Sequence, residues 1–370
     1  QSSDLERTQT VRRTDDMKFL PKFAIAALAA LALVTSVPAE AAPKKDFKVA
    51  WSIYVGWMPW GYAADHGIVK KWADKYGINI EVVQFNDYIE SINQYTAGTL
   101  DGVLSTNMDA LAIPSVGGVD TTALIVGDYS NGNDAIILKD KKSLADIKGQ
   151  KVNLVELSVS HYALARALET VGMSEKDVTV VNTSDADMEA AWKTSDVTAM
   201  VTWNPMVASI MQDSHANSVF DSSALPGEIQ DCLVVNTDML KDNPDFGKAM
   251  VGIWFETLAL MQSGTPEAKA ARESMAKASG TDLAGFEGQL KTTKMFWTPA
   301  EMVAFTDGDL VPALDKVRNF LFTHGLLGNN AASADVVGIE FSDGKIIGDK
   351  SNVKFRFTDT YMKLAAEGKL

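Results

Sequence analysis

Trp51-Ser-Ile-Tyr54-Val-Gly-Trp57-Met-Pro-Trp60-Gly-Tyr62 is the stretch on which the fold turns. It follows the short apolar run Phe47–Ala50 and leads into a helical pattern, so it reads as the turn between a strand and a helix. Gly56 and Pro59 punctuate it. In open α/β folds such turns lie at the carboxyl edge of the sheet, where ligands bind. Trp51, Tyr54, Trp57, Trp60 and Tyr62 crowd this one. Rings there can cover a flat or cationic small molecule. The competing reading is a packing cluster. Three of the rings sit in the turn rather than on the strand, which favours a site.

Outward from this turn, short β-rich runs alternate with helical patterns. Lys48–Trp51 is followed by an amphipathic helix near Trp60–Tyr76, a strand at Asn79–Phe85, and a helix at Asp87–Ala97 with Asp87 as N-cap and Gly98 just beyond its end. Gly102–Ser105 and Thr121–Val126 read as strands around a short helix at Asn107–Ile113. A similar series begins after Asp134, with strands at Ala135–Leu138, Lys151–Val155, Val178–Asn182 and Ala199–Thr202. Helices fall at Ser143–Ile147, Ser160–Val171, Asp185–Thr194 and Pro205–Met211, and another strand at Asp231–Asn236. From Asn243 the pattern is mostly helical, and Val353–Phe357 is β-like. The order predicts α/β lobes with mostly parallel sheets flanked by helices. The polar, turn-rich Gly127–Asp134 is the best boundary, and a second near Gln230–Cys232 returns the chain to the first lobe. Residues 42–133 with 232–370 then form a discontinuous lobe 1, and 134–231 form lobe 2. Two such lobes make a clamp that suits hinge closure around a ligand.

The chain opens with a passage that is not fold. Met17–Lys22 is a short basic segment, Phe23–Val34 is Ala/Leu-rich, and Ala39-Glu40-Ala41 is a small-residue cleavage signature. Residues 17–41 read as a secretory signal peptide cut near Ala41, which places the mature protein in the periplasm. The apolar run is well short of the ~20 residues needed to span a bilayer. No cysteine lies near the cut to carry a lipid anchor, and residues 1–16 read as upstream, non-native sequence. The remaining 42–370 are about two domains' worth. A net charge of −14 argues against nucleic acid and anionic membrane as partners. One cysteine, Cys232, excludes an intrachain disulfide, and 46% hydrophobic residues make a core that holds the fold without one.

Several motifs in order, Gly56-Trp57…Trp60, Asn107-Met-Asp109-Ala110, Asp128-Tyr-Ser-Asn-Gly132, Ser143-Leu-Ala-Asp-Ile-Lys-Gly149, Ser158-Val-Ser-His161-Tyr162 and Thr202-Trp203-Asn204-Pro205, resemble the nitrate/sulfonate/taurine-type periplasmic solute-binding proteins of ABC importers. The resemblance covers nearly the whole mature chain. It is nearest to the branch from urea carboxylase gene regions, described as urea or guanidine binders. It implies a type II two-lobed periplasmic-binding fold, no cofactor, an inner-membrane permease with its ATPase as partners, and a monomer. It also implies ligand contacts at Tyr54, Trp57, Trp60, Asn107, Asp109, Ser158, His161 and Trp203.

The residues themselves narrow the ligand's charge. The predicted strand-end loops, Ser52–Trp60, Asn86–Asp87, Thr106–Asp109, Gly127–Asp134, Glu156–His161 and Thr202–Asn204, contain Asp87, Asp109, Asp128, Asp134 and Glu156 but no Lys or Arg. An anion is normally met by a guanidinium, an ammonium or a helix N-terminus. Only the last is on offer, at Ser158–His161, with His161 as a further charge. Carboxylates beside rings fit a small planar cation, guanidinium before urea, with Asp109 the first candidate partner, Glu156 the second and Asp87 the third. Each carboxylate can equally be a cap or a solvated turn. Taurine, sulfonate or nitrate is the alternative ligand class. The alternative function is a thiamine-pyrimidine-synthase-like enzyme, which resembles these binders. That enzyme type depends on a cysteine cluster, a histidine and a pyridoxal-derived ligand; here Cys232 is alone and His66, His161, His215 and His324 are scattered without metal-ligand spacing. There is no Gly-x-Ser-x-Gly elbow and no phosphate loop, so the expectation is a binder and not an enzyme.

Overall fold

Strand β1, Asp46–Ser52, is buried along almost its whole length, as a strand between parallel neighbours must be. It pairs in parallel with β2 (Asn79–Phe85) and β3 (Gly102–Thr106). The computed structural model describes residues 44–370; the signal peptide read at 17–41 and the segment before it lie outside the described residues.

Two sheets carry the fold. β1, β2, β3, β4 (Thr121–Ser130), β10 (Gln230–Asn236), β12 (Gly338–Glu340), β13 (Ile346–Ile347) and β14 (Val353–Phe357) form one, in the order β13-β12-β14-β4-β10-β3-β1-β2, with β11 (Thr293–Met295) on β4. β5 (Ala135–Lys139), β6 (Lys151–Leu154), β7 (Thr179–Asn182), β8 (Ala199–Thr202) and β9 (Ala216–Asp221) form the other, in the order β7-β6-β8-β5-β9. The chain crosses from the first sheet to the second after Ser130 and returns before Gln230.

The two-lobed α/β arrangement holds, and the pairing within it is more mixed than the mostly parallel sheets expected. β10 lies antiparallel between β3 and β4, because it enters the first sheet from the far lobe rather than through a helical crossover. β5 is likewise antiparallel to both β8 and β9. The single helix expected over Trp60–Tyr76 is two, α1 (Met58–Asp65) and α2 (Ile68–Tyr76), because Gly67 adopts φ 79 between them. Gly127–Ser130, read as a polar turn, continues β4 and is mostly buried. α3 (Tyr88–Thr96) starts on the Asp87 cap, whose side chain accepts from the Glu90 amide.

The aromatic count goes largely into packing. Phe47 stacks on Phe246 at 4.6 Å, and Trp60 on Trp254 at 5.2 Å. The long helix Pro244–Gln262 approaches α2 through Gly252, where an added Cβ would lie 2.4 Å from the Trp72 ring. Trp72 Nε1 donates to Glu256 on the same helix at 2.7 Å, which fixes the indole over that glycine. Gly252→Ala should therefore cost about 1–3 kcal/mol in overpacking, read as a lower midpoint in urea unfolding with unchanged far-ultraviolet circular dichroism.

Candidate functional site

Between the two sheets lies a small cavity. Tyr54, Trp57, Tyr88, Thr106 and Asp231 reach it from the nine-stranded lobe, and Asp134, Val159 and Trp203 from the five-stranded one. Counting its opening to solvent, the space is about 280 Å³, just below the usual range for small-molecule sites. Measured to the centre of a water-sized sphere it is about 20 Å³, which is room for one or two waters and so for a solute of very few heavy atoms.

The lobes meet around it. Trp203 Nε1 donates to the Ile53 carbonyl at 3.1 Å, and the Val55 amide to the Asn204 carbonyl at 3.2 Å. The Tyr88 amide donates to Asp185 Oδ1 at 3.1 Å, and Ser184 Oγ to Asp87 Oδ2 at 2.7 Å. The rings form one continuous wall: Tyr54 meets Trp57 edge-on at 5.1 Å, Trp57 meets Tyr88 at 5.9 Å, and Tyr88 meets Trp203 edge-on at 5.7 Å. Gly56 lets this wall close on the acids behind it, since a Cβ there would lie 2.5 Å from the Tyr54 ring and 2.8 Å from Asp128 Oδ2.

Carboxyl groups surround the cavity, and no Lys or Arg lines it. Asp128, fully buried, accepts from Tyr54 Oη at 2.6 Å and from Thr293 Oγ1. Asp134 accepts from Ser130 Oγ at 2.6 Å. Asp109 sits at the start of the short helix α4 (Asn107–Ala110). Its Oδ2 takes hydrogen bonds from Tyr88 Oη at 2.8 Å, Thr106 Oγ1 at 3.0 Å and, across the cleft, the Val159 amide at 3.3 Å; its Oδ1 has no partner. Burial pushes Asp109 and Asp134 each up to about 6, against hydrogen bonds that pull the other way. Burial, then the neighbouring Asp128, holds Asp231 well above the usual carboxylate range, and burial raises Asp128 too.

Of the residues expected from sequence, Tyr54, Trp57 and Trp203 line the cavity and Asp109 stands one layer behind. The others serve elsewhere. Trp60 is in the core against Trp254. Asn107 braces the returning strand, its amide donating to the Glu228 carbonyl and accepting from the Gln230 amide. Asp87 caps α3 and takes the hydroxyl of Ser184. Glu156 is exposed, because the chain turns away from the cleft through Leu157 at φ 61. Ser158 caps α5 (Val159–Thr170), and its hydroxyl faces the Val155 carbonyl and the Ser160 amide. His161 faces Glu175, away from the cavity. Sequence reasoning missed Tyr88 and Asp231, and did not choose Thr106 and Val159 from the loops it named. Asp134 stood in a named loop but was not chosen, although its acid beside Ser130 was a readable signal.

One group among the described residues has metal-ligating spacing: His161, Glu175 and His324, with ligand atoms within 4.8 Å of one another. His161 Nδ1 accepts from the Leu157 amide at 3.0 Å. Its Nε2 therefore keeps the ring proton and offers no lone pair to a metal. The trio is a hydrogen-bonded brace between α5 and helix Val311–Thr323, whose C-cap is His324.

This architecture is that of the periplasmic binding proteins, two α/β lobes closing over a cleft. The chain belongs to the NMT1-like family, whose profile matches residues 49–279. A provisionally named binding protein of Brucella abortus (strain 2308) is 25% identical over 264 residues, covering 69% of this chain and 79% of the relative. The taurine-binding periplasmic protein of Escherichia coli (strain K12) is 25% identical over 130 residues, 34% of this chain and 40% of that one. Among solved structures, the alkanesulfonate-binding protein from Xanthomonas axonopodis pv. citri superposes with a TM-score of 0.64 at 17% identity, covering 80% of this chain and 98% of its own. A desulfurization enzyme shares the fold at a TM-score of 0.51 and 15% identity, covering 76% and 93%. At such identities these structures speak to fold alone.

Two outcomes follow from the geometry. Trp60→Ala removes a core ring and should cost roughly 3–5 kcal/mol in urea unfolding, whereas a ligand contact at Trp60 would show as lost affinity at little cost in stability. For acids whose folded pKa is raised, stability is fully present below the ordinary carboxylate range and is lost as pH rises through about 6. The melting temperature of the unliganded protein should fall over that rise, and Asp134→Asn should flatten the fall; an unchanged slope would refute the assignment.

Proposed function

We propose that this protein is the solute-binding component of an ABC importer, exported to the periplasm, which captures a small planar cation in its cleft and hands it to an inner-membrane permease driven by its ATPase. Guanidinium is the favoured solute and urea the second. The observation that carries the reading is the pairing of Tyr54, Trp57, Tyr88 and Trp203 with Asp134 and Asp231 around one cavity that no Lys or Arg lines. The name of the Brucella relative supports a binding role, and that of the Escherichia relative a periplasmic one. Among the described residues no helix is long and apolar enough to cross a membrane. A monomer is the working form.

Magnitudes favour the cation. Burying one costs several kcal/mol of hydration, and a desolvated contact with a ring returns about 2 kcal/mol. The rings alone do not suffice, and the carboxylates supply the remainder. Guanidinium has four heavy atoms; at a ceiling of about 1.5 kcal/mol each, binding reaches roughly 6 kcal/mol, a dissociation constant of some tens of micromolar. A sulfonate would enter an acidic box without a counter-charge, which sets this cleft apart from a site for the ligands after which the two sulfonate and taurine binders are named.

An enzymatic reading finds little support. Cys232 is buried in β10, and burial, then Asp231 and Asp128, push its thiol well above the usual range, the opposite of an activated nucleophile. Calorimetry with guanidinium, urea, taurine and nitrate tests the proposal. Heat with guanidinium at micromolar concentrations, weaker heat with urea and none with the anions is expected; heat with nitrate and none with guanidinium overturns the cation reading.

A further inference from the structure

Asp231 and Asp128 face each other at paired positions of the antiparallel strands β10 and β4. Both are buried, and directly opposed positions of an antiparallel pair hold their Cβ atoms about 4.5–5.5 Å apart on one face, close enough for their carboxyl groups to meet. Two carboxyl groups can share a hydrogen bond only when one carries a proton. The surrounding donors decide which. Asp128 Oδ1 accepts from Tyr54 and Thr293, while no N–H or hydroxyl of the protein reaches Asp128 Oδ2. That free oxygen is the acceptor for an O–H on Asp231. The other titratable groups around the pair are Asp134 from the loop before β5, Asp109 from α4, Tyr54 from the end of β1 and Cys232 from β10. None of these supplies a positive charge, so none of them can take over the role of that proton.

Resting on the ligand reading above, we propose that Asp231 holds a proton against Asp128 in the unliganded cleft, that an entering cation displaces it, and that this exchange makes Asp231 the residue that separates guanidinium from urea. The bookkeeping is simple: the O–H bond of Asp231 breaks, its proton leaves to water, and an N–H of the guest replaces it as the donor to the pair. One positive charge enters and one leaves, so the net charge of the buried site does not change. Urea offers the same N–H donors without the charge, so the proton stays.

Linkage gives the test. If one proton leaves per guest, guanidinium affinity rises about tenfold per unit of pH for as long as Asp231 is protonated in the unliganded protein, whereas urea affinity stays flat. Calorimetry over the neutral range reads both slopes, and repeating it in buffers of different ionisation enthalpy counts the protons. Infrared spectroscopy of the unliganded protein at mildly alkaline pH should show the carbonyl stretch of an un-ionised carboxylic acid, absent in Asp231→Asn and lost when guanidinium saturates the wild type. Asp231→Asn should also abolish the slope, with Asp128→Asn as the second variant and melting curves checking that each is folded. A flat guanidinium profile, or no acid band beside tight guanidinium binding, overturns the exchange and leaves the ligand reading intact. An acid band with no heat from guanidinium overturns the ligand reading and the exchange together, leaving only the stored proton.

Discussion

Four carboxyl groups, Asp109, Asp128, Asp134 and Asp231, are buried where the lobes meet, and the rest of the structure is arranged around them. Isolated ionised groups in such a place would cost far more than a domain's whole stability margin. The chain therefore provides donors to three of them. Tyr54 and Thr293 serve Asp128, Ser130 serves Asp134, and Tyr88, Thr106 and the Val159 amide serve Asp109. All but the Val159 amide come from the nine-stranded lobe, and that amide ties the N-terminus of α5 to Asp109 across the cleft. A protein that needed only a stable core would place apolar residues there, which is commonly neutral or stabilising by comparison.

Proteins that resemble this chain are named for sulfonates and taurine, and the same scaffold here carries acids around its cavity. The frame supplies a closable cleft, and the charge of the side chains facing it decides the guest. In this chain the N-terminus of α5, which borders the cavity, already donates its first amide to Asp109 from the opposite lobe.

Much of this was legible in the sequence. The aromatic turn at Tyr54 and Trp57, the loop at Trp203, the acid at Asp109 and the dearth of Lys and Arg at strand ends were all readable, because each is local: a turn after an apolar run puts its residues at the sheet edge. Tyr88 and Asp231 were not. Tyr88 looks like the first residue of an ordinary capped helix, and Asp231 like the start of a strand. Their place at the cavity depends on α3 packing under the turn and on β10 returning between β3 and β4. Alternation of apolar residues identifies a strand but not its neighbours, so the partner of Asp128 could not be named. Trp60 and Glu156 failed for the converse reason: they lie in the right loops, but the local backbone points one inward to Trp254 and the other to solvent.

The crowding of acids at the cleft reaches beyond contact distance. Carboxylates at the end of a low-dielectric groove, on a chain of net charge −14, focus their field along the mouth. On the proposed reading, a positive solute is drawn inward as it diffuses and a negative one is turned back before it touches a ring. Added salt weakens both effects over a screening length of about 10 Å. Discrimination on that reading begins in the surrounding water as a difference in arrival rates, before the cavity holds a guest.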